Sequence, residues 1–535
     1  MQRRFITKSV LLGAFFALMM ALPVGQAFAQ GSTTSALSGT VVDEKGEGLP
    51  GATVIAVHEP TGSRYGASTR GDGRYNIVNM RVGGPYKVTV SFVGYKESVQ
   101  SGISLTLASE LRQNFKLELN QAQLEEVKVV ASRSSVINSG RTGAATTVSN
   151  SSITTLPTLN RSLGDFARLD PRANGLNFAG RNALYNNITV DGAFFNNTFA
   201  LSSTIGGQTG ASPISVDAID QFQVIIAPYD VRQGMATGAN INVVTKSGTN
   251  DWTGSGYYFG TNEGLVGNTI GDVTNQYGKF TRGQFGARVG GAIIKNKLFF
   301  FVNGEREVRT YPGLNWLATR TGVSGANVSR TTATDLDAVR NFLKSTYDYE
   351  TGPYENLGEF SSRNYKVLGR IDWNINDNNR LSLRYNLVNS VNDNETNGSS
   401  APNPRAGSNR WSRNAMAYEN ANYGFEDVVS SWTLDFKSKI GKNANNQFLA
   451  TYTNIETNRV SGSTPFPFVD IQDGAGDQYI AFGYELFSWK NAVKNRVATV
   501  TDNFNYSIGK PAFTAGASFE YLYFGNSFLR YGTSY

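Results

Sequence analysis

Hydrophobic and polar residues alternate in short segments over the first part of the chain. A period of two is typical of β-strands that bury one face, and turns such as Glu44–Gly46 and Gly71–Gly73 separate the segments. About 80 residues with this pattern are enough for an independent domain, so the sequence predicts a β-sandwich over residues 30–120. Its predicted strands are Leu37–Val42, Ala52–His58, Gly73–Ile77, Tyr86–Phe92 and Asn114–Leu119.

Longer alternating segments, rich in tyrosine and phenylalanine, follow after Trp252. Each runs to about 8 to 12 residues, the length that a tilted strand needs to cross an outer membrane. Short turns such as Asn374–Asn378 alternate with long polar insertions such as Thr310–Asn364, which contains a helical pattern over Asp335–Tyr347. A soluble sandwich does not explain loops of about 50 residues, so the pattern predicts a membrane barrel. The predicted strands are Trp252–Phe259, Gln284–Ile294, Leu298–Val308, Tyr365–Trp373, Arg380–Val388, Ser431–Ile440, Gln447–Ile455, Arg496–Tyr506 and Phe513–Phe524.

The first residues predict export. Three basic residues precede an apolar run, Val10–Leu22, that ends near the small-residue triplet Ala27–Ala29, which indicates a cleaved signal peptide over residues 1–29. The alternative is a membrane anchor, but the run is shorter than the roughly 20 residues of a spanning helix. No later stretch approaches about 18 uninterrupted apolar residues, so a mature chain that crosses a membrane must do so as a closed β-barrel.

The composition of the chain argues against several kinds of functional site. The chain has no cysteine, and its single histidine, His58, argues against a histidine-based metal site or catalytic triad. Its 49 basic and 42 acidic residues give a net charge of +7, which is too mild to indicate a nucleic-acid partner. The 57 glycines and 12% aromatic residues are typical of an all-β protein rich in turns. The sequence therefore predicts no enzyme, no cofactor and no metal.

Four motifs in the predicted sandwich resemble the carboxypeptidase-regulatory-like domain, which precedes many outer-membrane receptors of the Bacteroidetes type. The resemblance implies a transthyretin-like accessory module with no peptidase activity. The sequence agrees, because it lacks the His and Glu ligand sets that a zinc peptidase needs. The motifs are Ser38–Asp43, Gly48–Val54, Gly71–Tyr75 and Val93–Tyr95.

The segment Leu124-Glu125-Glu126-Val127-Lys128-Val129-Val130 resembles the Ton box of TonB-dependent outer-membrane receptors. The resemblance implies β-augmentation, in which an exposed strand pairs edge-on with the periplasmic domain of TonB and backbone hydrogen bonds supply the grip. The alternatives are a last strand of the sandwich or a linker. Residues 121–143 are predicted to hold this segment and a flexible polar tether from Ser132 to Gly143.

Residues 144–250 resemble the plug domain of these receptors. The most specific block runs from Gly234 to an Ile-Asn-Val-Val-Thr-Lys strand that ends at Lys246. Glycines at its turn permit positive φ and close packing against a surrounding wall. The stretch Pro228–Gln233 departs from the shorter turn of many siderophore receptors, which favours the Oar-like branch of the family. The plug signature residues are Asp191, Gly192, Gly234, Gly238, Asn240, Asn242, Thr245 and Lys246.

Residues 251–535 resemble the start of an Oar-like barrel, most clearly over Gly290–Glu305. They have room for about nine or ten strands, whereas a plugged transporter needs about 22, and about eight strands already fill their interior with side chains. We therefore expect a truncated chain. The predicted fold is dominated by β-structure, with a transthyretin-like sandwich, an α+β plug and the first strands of a large barrel of the 22-strand type.

The resemblance implies active uptake of a large or scarce ligand across the cell outer membrane. TonB, with its inner-membrane energising complex, would pull on the Ton box and loosen the plug. The sandwich and the Ton box would lie in the periplasm, the long loops outside and the barrel in outer-membrane lipid. Rings and amides suit sugars or peptides, so five residues of the plug are candidates for ligand contact, with packing against the barrel wall as the alternative. They are Phe194, Phe195, Asn196, Asn197 and Phe199.

Two other functions stay open. An Oar-like surface protein would use its loops in adhesion, sensing or export and keep the plug as a seal. A passive porin is disfavoured by a complete plug. No cluster of His, Cys or paired carboxylates selects among acidic carbohydrate, peptide, metal chelate and protein as the external ligand.

Overall fold

The computed structural model describes residues 32–120, 128–130, 144–197, 199, 201–226, 230–234, 237–275, 278–401, 410–508 and 511–530. The predicted signal peptide, residues 1–29, lies outside this part of the chain, and so do Leu124–Val127 of the predicted Ton box. The predicted domain boundaries near 120, 143 and 250 stay predictions. The described chain is dominated by β-strands, as the sequence predicted.

The N-terminal unit is a sandwich of two sheets. One sheet has the order β4-β1-β7 with β8 also on β1, and the other has the order β3-β2-β5-β6-β9. Alternate side chains of both sheets, such as Val41, Val54 and Val88, point between them into a common core. The strands are β1 (Ser35–Val42), β2 (Thr53–His58), β3 (Ser63–Ser68), β4 (Arg74–Met80), β5 (Gly83–Ser91), β6 (Ser98–Leu105), β7 (Glu110–Arg112), β8 (Phe115–Lys116) and β9 (Lys128–Val130).

The plug follows, and its sheet has the order β10-β15-β16-β13-β14. Strands β15 and β16 are buried along almost their whole length, and Phe166 of a short helix packs on Phe222 of β15. The elements are β10 (Ala144–Val148), α1 (Asn150–Thr155), α2 (Leu163–Ala167), β11 (Ala173–Asn174), β12 (Asn177–Phe178), β13 (Asn187–Val190), β14 (Ala193–Phe194), β15 (Ile219–Ile226) and β16 (Ala239–Thr245), with 3-10 turns at Ala183–Tyr185 and Val216–Ala218.

Nine long antiparallel strands form the wall, in the order β17-β20-β21-β24-β25-β27-β28-β31-β32. In the described residues this sheet is open, with β17 and β32 as its edges. Each of the nine predicted segments lies in one of these strands, apart from Trp252. The C-terminal elements are β17 (Thr253–Asn262), β18 (Thr269–Ile270), β19 (Val273–Thr274), β20 (Thr281–Ile294), β21 (Leu298–Tyr311), β22 (Leu317–Thr319), β23 (Val328–Thr332), α3 (Ala333–Tyr347), β24 (Phe360–Asn374), β25 (Asn379–Asn394), β26 (Met416–Ala417), β27 (Tyr423–Ile440), β28 (Ala444–Val460), β29 (Val469–Gln472), β30 (Gln478–Phe482), β31 (Ala492–Ser507) and β32 (Ala512–Ser527), with 3-10 turns at Glu263–Leu265 and Glu419–Ala421.

The wall has an apolar outer face and a mostly polar inner face, on which a few apolar residues such as Leu368 and Val388 are also buried. On β24 the outward side chains of Tyr365 and Trp373 are 46% and 41% exposed, whereas the inward side chains of Lys366 and Asp372 are buried. A soluble sandwich has the opposite arrangement, because its apolar residues point inward. This inverted alternation is the pattern of a strand that faces lipid on one side and a filled lumen on the other. Among the described residues, no helix is long and apolar enough to cross a membrane.

Three long loops at one end of the wall, described over residues 312–359, 395–401 with 410–422, and 461–491, pack together around a core of their own. Trp411, Tyr418 and Phe482 are fully or almost fully buried in this core. The side chain of Arg410 is completely buried, and its Nη2 lies 2.6 Å from Asp470 Oδ2. The predicted helix is confirmed as α3, whose N-terminus is capped by the hydroxyl of Thr332. These insertions, predicted as polar loops, therefore fold into a cap.

The sandwich contains a pH-sensitive residue. Burial, together with the positive charge of Arg81, lowers the pKa of His58 to about 3. Below about pH 6.5 His58 is protonated in the unfolded chain but stays neutral in the folded sandwich. The stability of the fold therefore falls as the pH drops from about 6.5 towards 3.

We expect the fragment 32–120, which carries its own core, to lose about 4 kcal/mol over this pH range in urea unfolding followed by circular dichroism. A His58→Gln variant should lose markedly less. An equal loss in both proteins would show that His58 is not responsible.

Candidate functional site

The buried asparagines of the plug signature hold its central strands together. Strands β13 and β16 run parallel, and Asn187 pairs with Asn240 while Thr189 pairs with Asn242. Asn187 Nδ2 donates to Asn240 Oδ1 at 3.1 Å, and Thr189 Oγ1 donates to Asn242 Oδ1 at 3.0 Å. The two amide oxygens are satisfied in this way, as is usual for buried amides, whereas Asn242 Nδ2 is buried and has no hydrogen-bond partner among the described residues.

The two signature glycines before β16 belong to the same hydrogen-bond system. The carbonyl oxygen of Gly234 accepts from Asn187 Nδ2 at 3.1 Å. Gly238 lies so close to Asn186 that an added Cβ would come within 2.6 Å of its Oδ1. A larger residue at position 238 would therefore displace this amide, which also accepts from the amide N–H of Ala239.

Asp191 and Gly192 form the turn between β13 and β14. The carboxylate of Asp191 accepts from the backbone N–H and the hydroxyl of Thr245, at 2.9 and 2.7 Å. Gly192 has a φ of +81° and presses against the wall, where an added Cβ would lie 2.6 Å from Leu449 Cδ2. The signature residues Asp191, Gly192 and Thr245 thus meet at the contact between plug and wall.

Two arginines of the wall face the carboxylate of Asp191. Arg384 Nε lies 3.4 Å from Asp191 Oδ2, and Arg370 Nη1 lies 3.6 Å from Asp191 Oδ1. Arg370 is also held by Asp372, through two contacts of 2.9 Å, and donates to the carbonyl of Thr245 at 2.9 Å. The side chain of Arg384 is only 2% exposed. Removal of the carboxylate would therefore leave a buried cation without its partner.

A second set of polar contacts holds the other side of the plug. Glu305 and Lys366 form a fully buried ion pair at 2.5 Å within the wall. Glu305 also accepts a hydrogen bond from Ser215 of the plug at 2.7 Å. Asp217 of the plug lies 3.3 Å from Arg288 of the wall. Apolar packing joins these polar contacts, because five wall residues belong to the same buried core as the plug: Phe301, Leu368, Val388, Val429 and Ile455.

The upper part of the plug contacts the ends of the strands near the cap. Thr209 Oγ1 lies 2.6 Å from Ser390 Oγ, and the ring of Phe199 stacks on Phe524 of β32 at 5.1 Å between centroids. Asn392 Nδ2 donates to the carbonyl of Gln208 at 3.2 Å. Contacts with the wall thus extend along the height of the plug.

The five predicted ligand residues have different surroundings. Phe195 is completely buried in the core, and Phe194 is 8% exposed. Asn196 accepts from the N–H of Ile188 at 2.6 Å, and Asn197 donates to Ser202 at 3.0 Å. The buried rings match the alternative of packing inside the barrel. Ligand contact stays a prediction, with Asn196, Asn197 and Phe199 the best placed of the five because all three are only partly buried.

The end of the predicted Ton box is described as β9, which pairs parallel with Val99–Ser101 of β6. This pairing places Lys128–Val130 at the edge of a sandwich sheet. It matches the alternative in which the segment is a last strand of the sandwich. Binding of this segment to TonB stays a prediction. A three-residue ladder is short, which is compatible with exchange for another partner strand.

Sequence reasoning missed the wall residues that face the plug, including Arg370, Arg384 and Glu305. Their signal is present in the sequence, since polar residues, several of them charged, stand at most alternate positions of strands whose other positions are largely apolar. That spacing places the charges on the inner face. It does not show which charge of the plug each one meets. In the described part of the chain, no group of three or more His, Cys, Asp or Glu side chains could hold a metal.

Plug, wall and cap together define the class of protein as an outer-membrane β-barrel. Residues 36–118 match the carboxypeptidase regulatory-like domain, and residues 244–533 match the outer membrane beta barrel domain. The second match covers more than half of the chain, which therefore belongs to the family of outer membrane beta barrel domain proteins and is located in the outer membrane.

Among curated proteins, the chain is similar to the TonB-dependent transporter Oar of Myxococcus xanthus, with 27% identity over 384 residues. The match covers 67% of this chain and 34% of that protein, so the chain spans about a third of its length.

Among solved structures, the outer membrane transporter YddB from Escherichia coli has a TM-score of 0.48 at 12% identity, covering 71% of this chain and 48% of that one. The siderophore receptor PirA from Acinetobacter baumannii has a TM-score of 0.45 at 14% identity, covering 70% and 48%.

Loss of the Asp191 carboxylate should loosen the plug. We expect Asp191→Ala to weaken its docking by about 3 kcal/mol, because Arg384 is left buried and unpaired. Faster hydrogen exchange of the β16 amides would report the change. Asp230→Ala is the matched control, since Asp230 pairs with Arg232 two residues along the plug, at 2.6 Å. Equal acceleration in both variants would contradict a specific role for Asp191.

Lys246 should make plug docking depend on pH. Burial, and to a lesser degree the charge of Arg288, lowers the pKa of Lys246 to about 8. An unfolded lysine keeps its proton to about pH 10.4. Between about pH 8 and pH 10.4 the unfolded chain therefore binds more protons at this residue than the folded chain, and stability rises with pH over that range.

We expect the parent chain to gain about 2 kcal/mol between pH 8 and 9.5 from this group, and Lys246→Met to lack that gain. Hydrogen exchange of β16, corrected for intrinsic rates, measures the difference. Identical pH slopes in the two proteins would rule out Lys246 as the titrating group.

Proposed function

We propose that this chain is part of a TonB-dependent transporter that takes up a large or scarce ligand through the outer membrane. The observation that carries the proposal is the polar contact between plug and wall. Groups such as Asp191 with Arg384, and Ser215 with Glu305, interact by charge and hydrogen bonding at defined positions. These polar contacts, which accompany apolar packing on wall residues such as Leu368, allow the plug to leave its seat and return, because water can replace each of them as it breaks.

The energy for this movement comes from outside the outer membrane. TonB binds Leu124–Val130 by β-augmentation and pulls on the plug through the tether that follows in the sequence. The sandwich and the TonB-binding segment lie in the periplasm, and the cap lies outside the cell. The similarity to the transporter Oar supports this function over a surface protein that uses its plug only as a seal.

A single cysteine can report plug movement, since the chain has no cysteine of its own. Ser215 is 2% exposed in the seated plug. We expect Ser215→Cys to react with a membrane-impermeant fluorescein maleimide in cells that contain energised TonB, and at least about tenfold more slowly in cells without it.

Ser345→Cys, on the exposed surface of α3, is the control for expression and reagent access and should react equally in both strains. A Ser215→Cys reaction rate that is independent of TonB would refute energised plug movement.

The TonB-binding segment has its own test. Val129→Pro removes a backbone donor and fixes φ, so it should abolish strand pairing with TonB, whereas Val129→Ala keeps the backbone intact. In the Ser215→Cys background, the proline variant should react at the rate of cells without TonB and the alanine variant at the parent rate. Normal labelling of the proline variant would place the TonB contact elsewhere.

A further inference from the structure

The sandwich lies directly against the plug, through an apolar contact and through hydrogen bonds. Val82 and Leu107 of the sandwich pack on Val244 of β16, and all three are buried. Beside them, two glutamines of β15 bind the sandwich backbone. Gln221 Oε1 accepts from the N–H of Leu107 at 2.9 Å, and Gln223 Nε2 donates to the carbonyl of Leu107 at 2.7 Å. The sandwich therefore contacts the plug both by apolar packing and by hydrogen bonds to strand β15.

Arg81, next to Val82, extends the contact from the sandwich to the wall. Its Nη2 lies 3.3 Å from Asp372 Oδ2, and the two side chains are 17% and 9% exposed. Asp372 is the carboxylate that also holds Arg370. One row of alternating charges therefore crosses three structural units: Arg81 in the sandwich, Asp372 and Arg370 in the wall, Asp191 in the plug and Arg384 in the wall.

The backbone of Arg81 is fixed by two tyrosines of the sandwich core. The hydroxyl of Tyr86, whose side chain is completely buried, donates to the carbonyl of Arg81 at 2.6 Å. The hydroxyl of Tyr65 accepts from the N–H of Arg81 at 3.3 Å. Arg81 therefore projects from a rigid support, so its guanidinium is held near Asp372 at little further cost in conformational entropy.

A cavity of about 60 Å³ lies where the three units meet, lined by Arg81, Asp220, Arg370 and Asp372 among others. It is polar and large enough for a water molecule. Water that enters here can solvate these charges when the sandwich moves away. The row of charges can then come apart from the sandwich side first.

We propose that the sandwich is a clamp on the plug and that Arg81 is the positioning residue through which it acts. By holding Asp372, Arg81 keeps Arg370 directed at Asp191. The biological role of the clamp rests on the proposed function: when TonB pulls, the sandwich separates from the plug before the plug leaves the wall. In sequence, the TonB-binding segment lies between the two units, so a pull reaches both.

The test compares two cations at the contact between sandwich and wall. Arg81 belongs to the row of charges, whereas Lys439 of the wall donates to the carbonyl of Gly66 in the sandwich at 2.5 Å and is not part of the row. Hydrogen exchange on the full chain, without TonB, measures β16 of the plug and β2 of the sandwich separately. The result therefore does not depend on whether TonB moves the plug.

We expect Arg81→Gln to accelerate exchange of β16 about tenfold, and Lys439→Gln to change it less than about twofold. Arg81→Lys should restore most of the protection, because Arg81 makes only one contact with Asp372 and a lysine can make it too. Equal acceleration of β16 by Arg81→Gln and Lys439→Gln would overturn the proposal, and so would no effect of Arg81→Gln on β16.

A double-mutant cycle keeps the test decisive if Arg81→Gln disturbs the sandwich itself. In an Asp372→Asn background, Arg81→Gln should add no further acceleration of β16, because the link through Asp372 is already broken. Additive effects of the two substitutions on β16 would show that Arg81 acts by another route and would overturn its assignment as a positioning residue.

Discussion

Asp191 places a carboxylate between Arg370 and Arg384 at a depth where these side chains have little contact with solvent. A charge in such surroundings is costly unless an opposite charge and hydrogen bonds compensate for it. The plug and the wall therefore depend on each other. Arg370 already has Asp372 as a partner within the wall, but Arg384 needs an anion, and the plug supplies it from a turn that is itself closed by Thr245.

The nature of this contact matters for function. The plug packs on apolar wall residues such as Leu368 and Val388, but a wholly apolar interface of the same extent would favour permanent attachment, because separation would expose more apolar surface to water. Paired polar groups lose much less on separation, since water replaces their partners. Specific seating and reversible release are therefore compatible in one interface. The same reasoning applies to the sandwich, whose contacts with plug and wall combine one small apolar cluster with polar links.

Much of the fold could be predicted from the alternation of residue types. The nine wall strands were found because lipid and lumen select opposite side chains at neighbouring positions. Three strands between Ser35 and Lys116 of the sandwich were missed, of which β3 and β6 are longer than β7. Strand β3, Ser-Arg-Tyr-Gly-Ala-Ser, has no clear apolar alternation, and in β6 the alternation of Val99, Ile103 and Leu105 is interrupted at Ser101. Both form because neighbouring strands provide their backbone hydrogen bonds, and that information is not local.

The sequence by itself determined the kind of each element and the family resemblance, because strand periodicity, turn residues and motifs are local properties of the chain. Only the tertiary structure decided which charges meet. Arg81, Asp191 and Asp372 are separated by more than a hundred residues from one another, and no spacing rule joins them. It also decided that the polar insertions fold into a cap and that Phe195 is buried, because burial depends on all the chain that surrounds a residue.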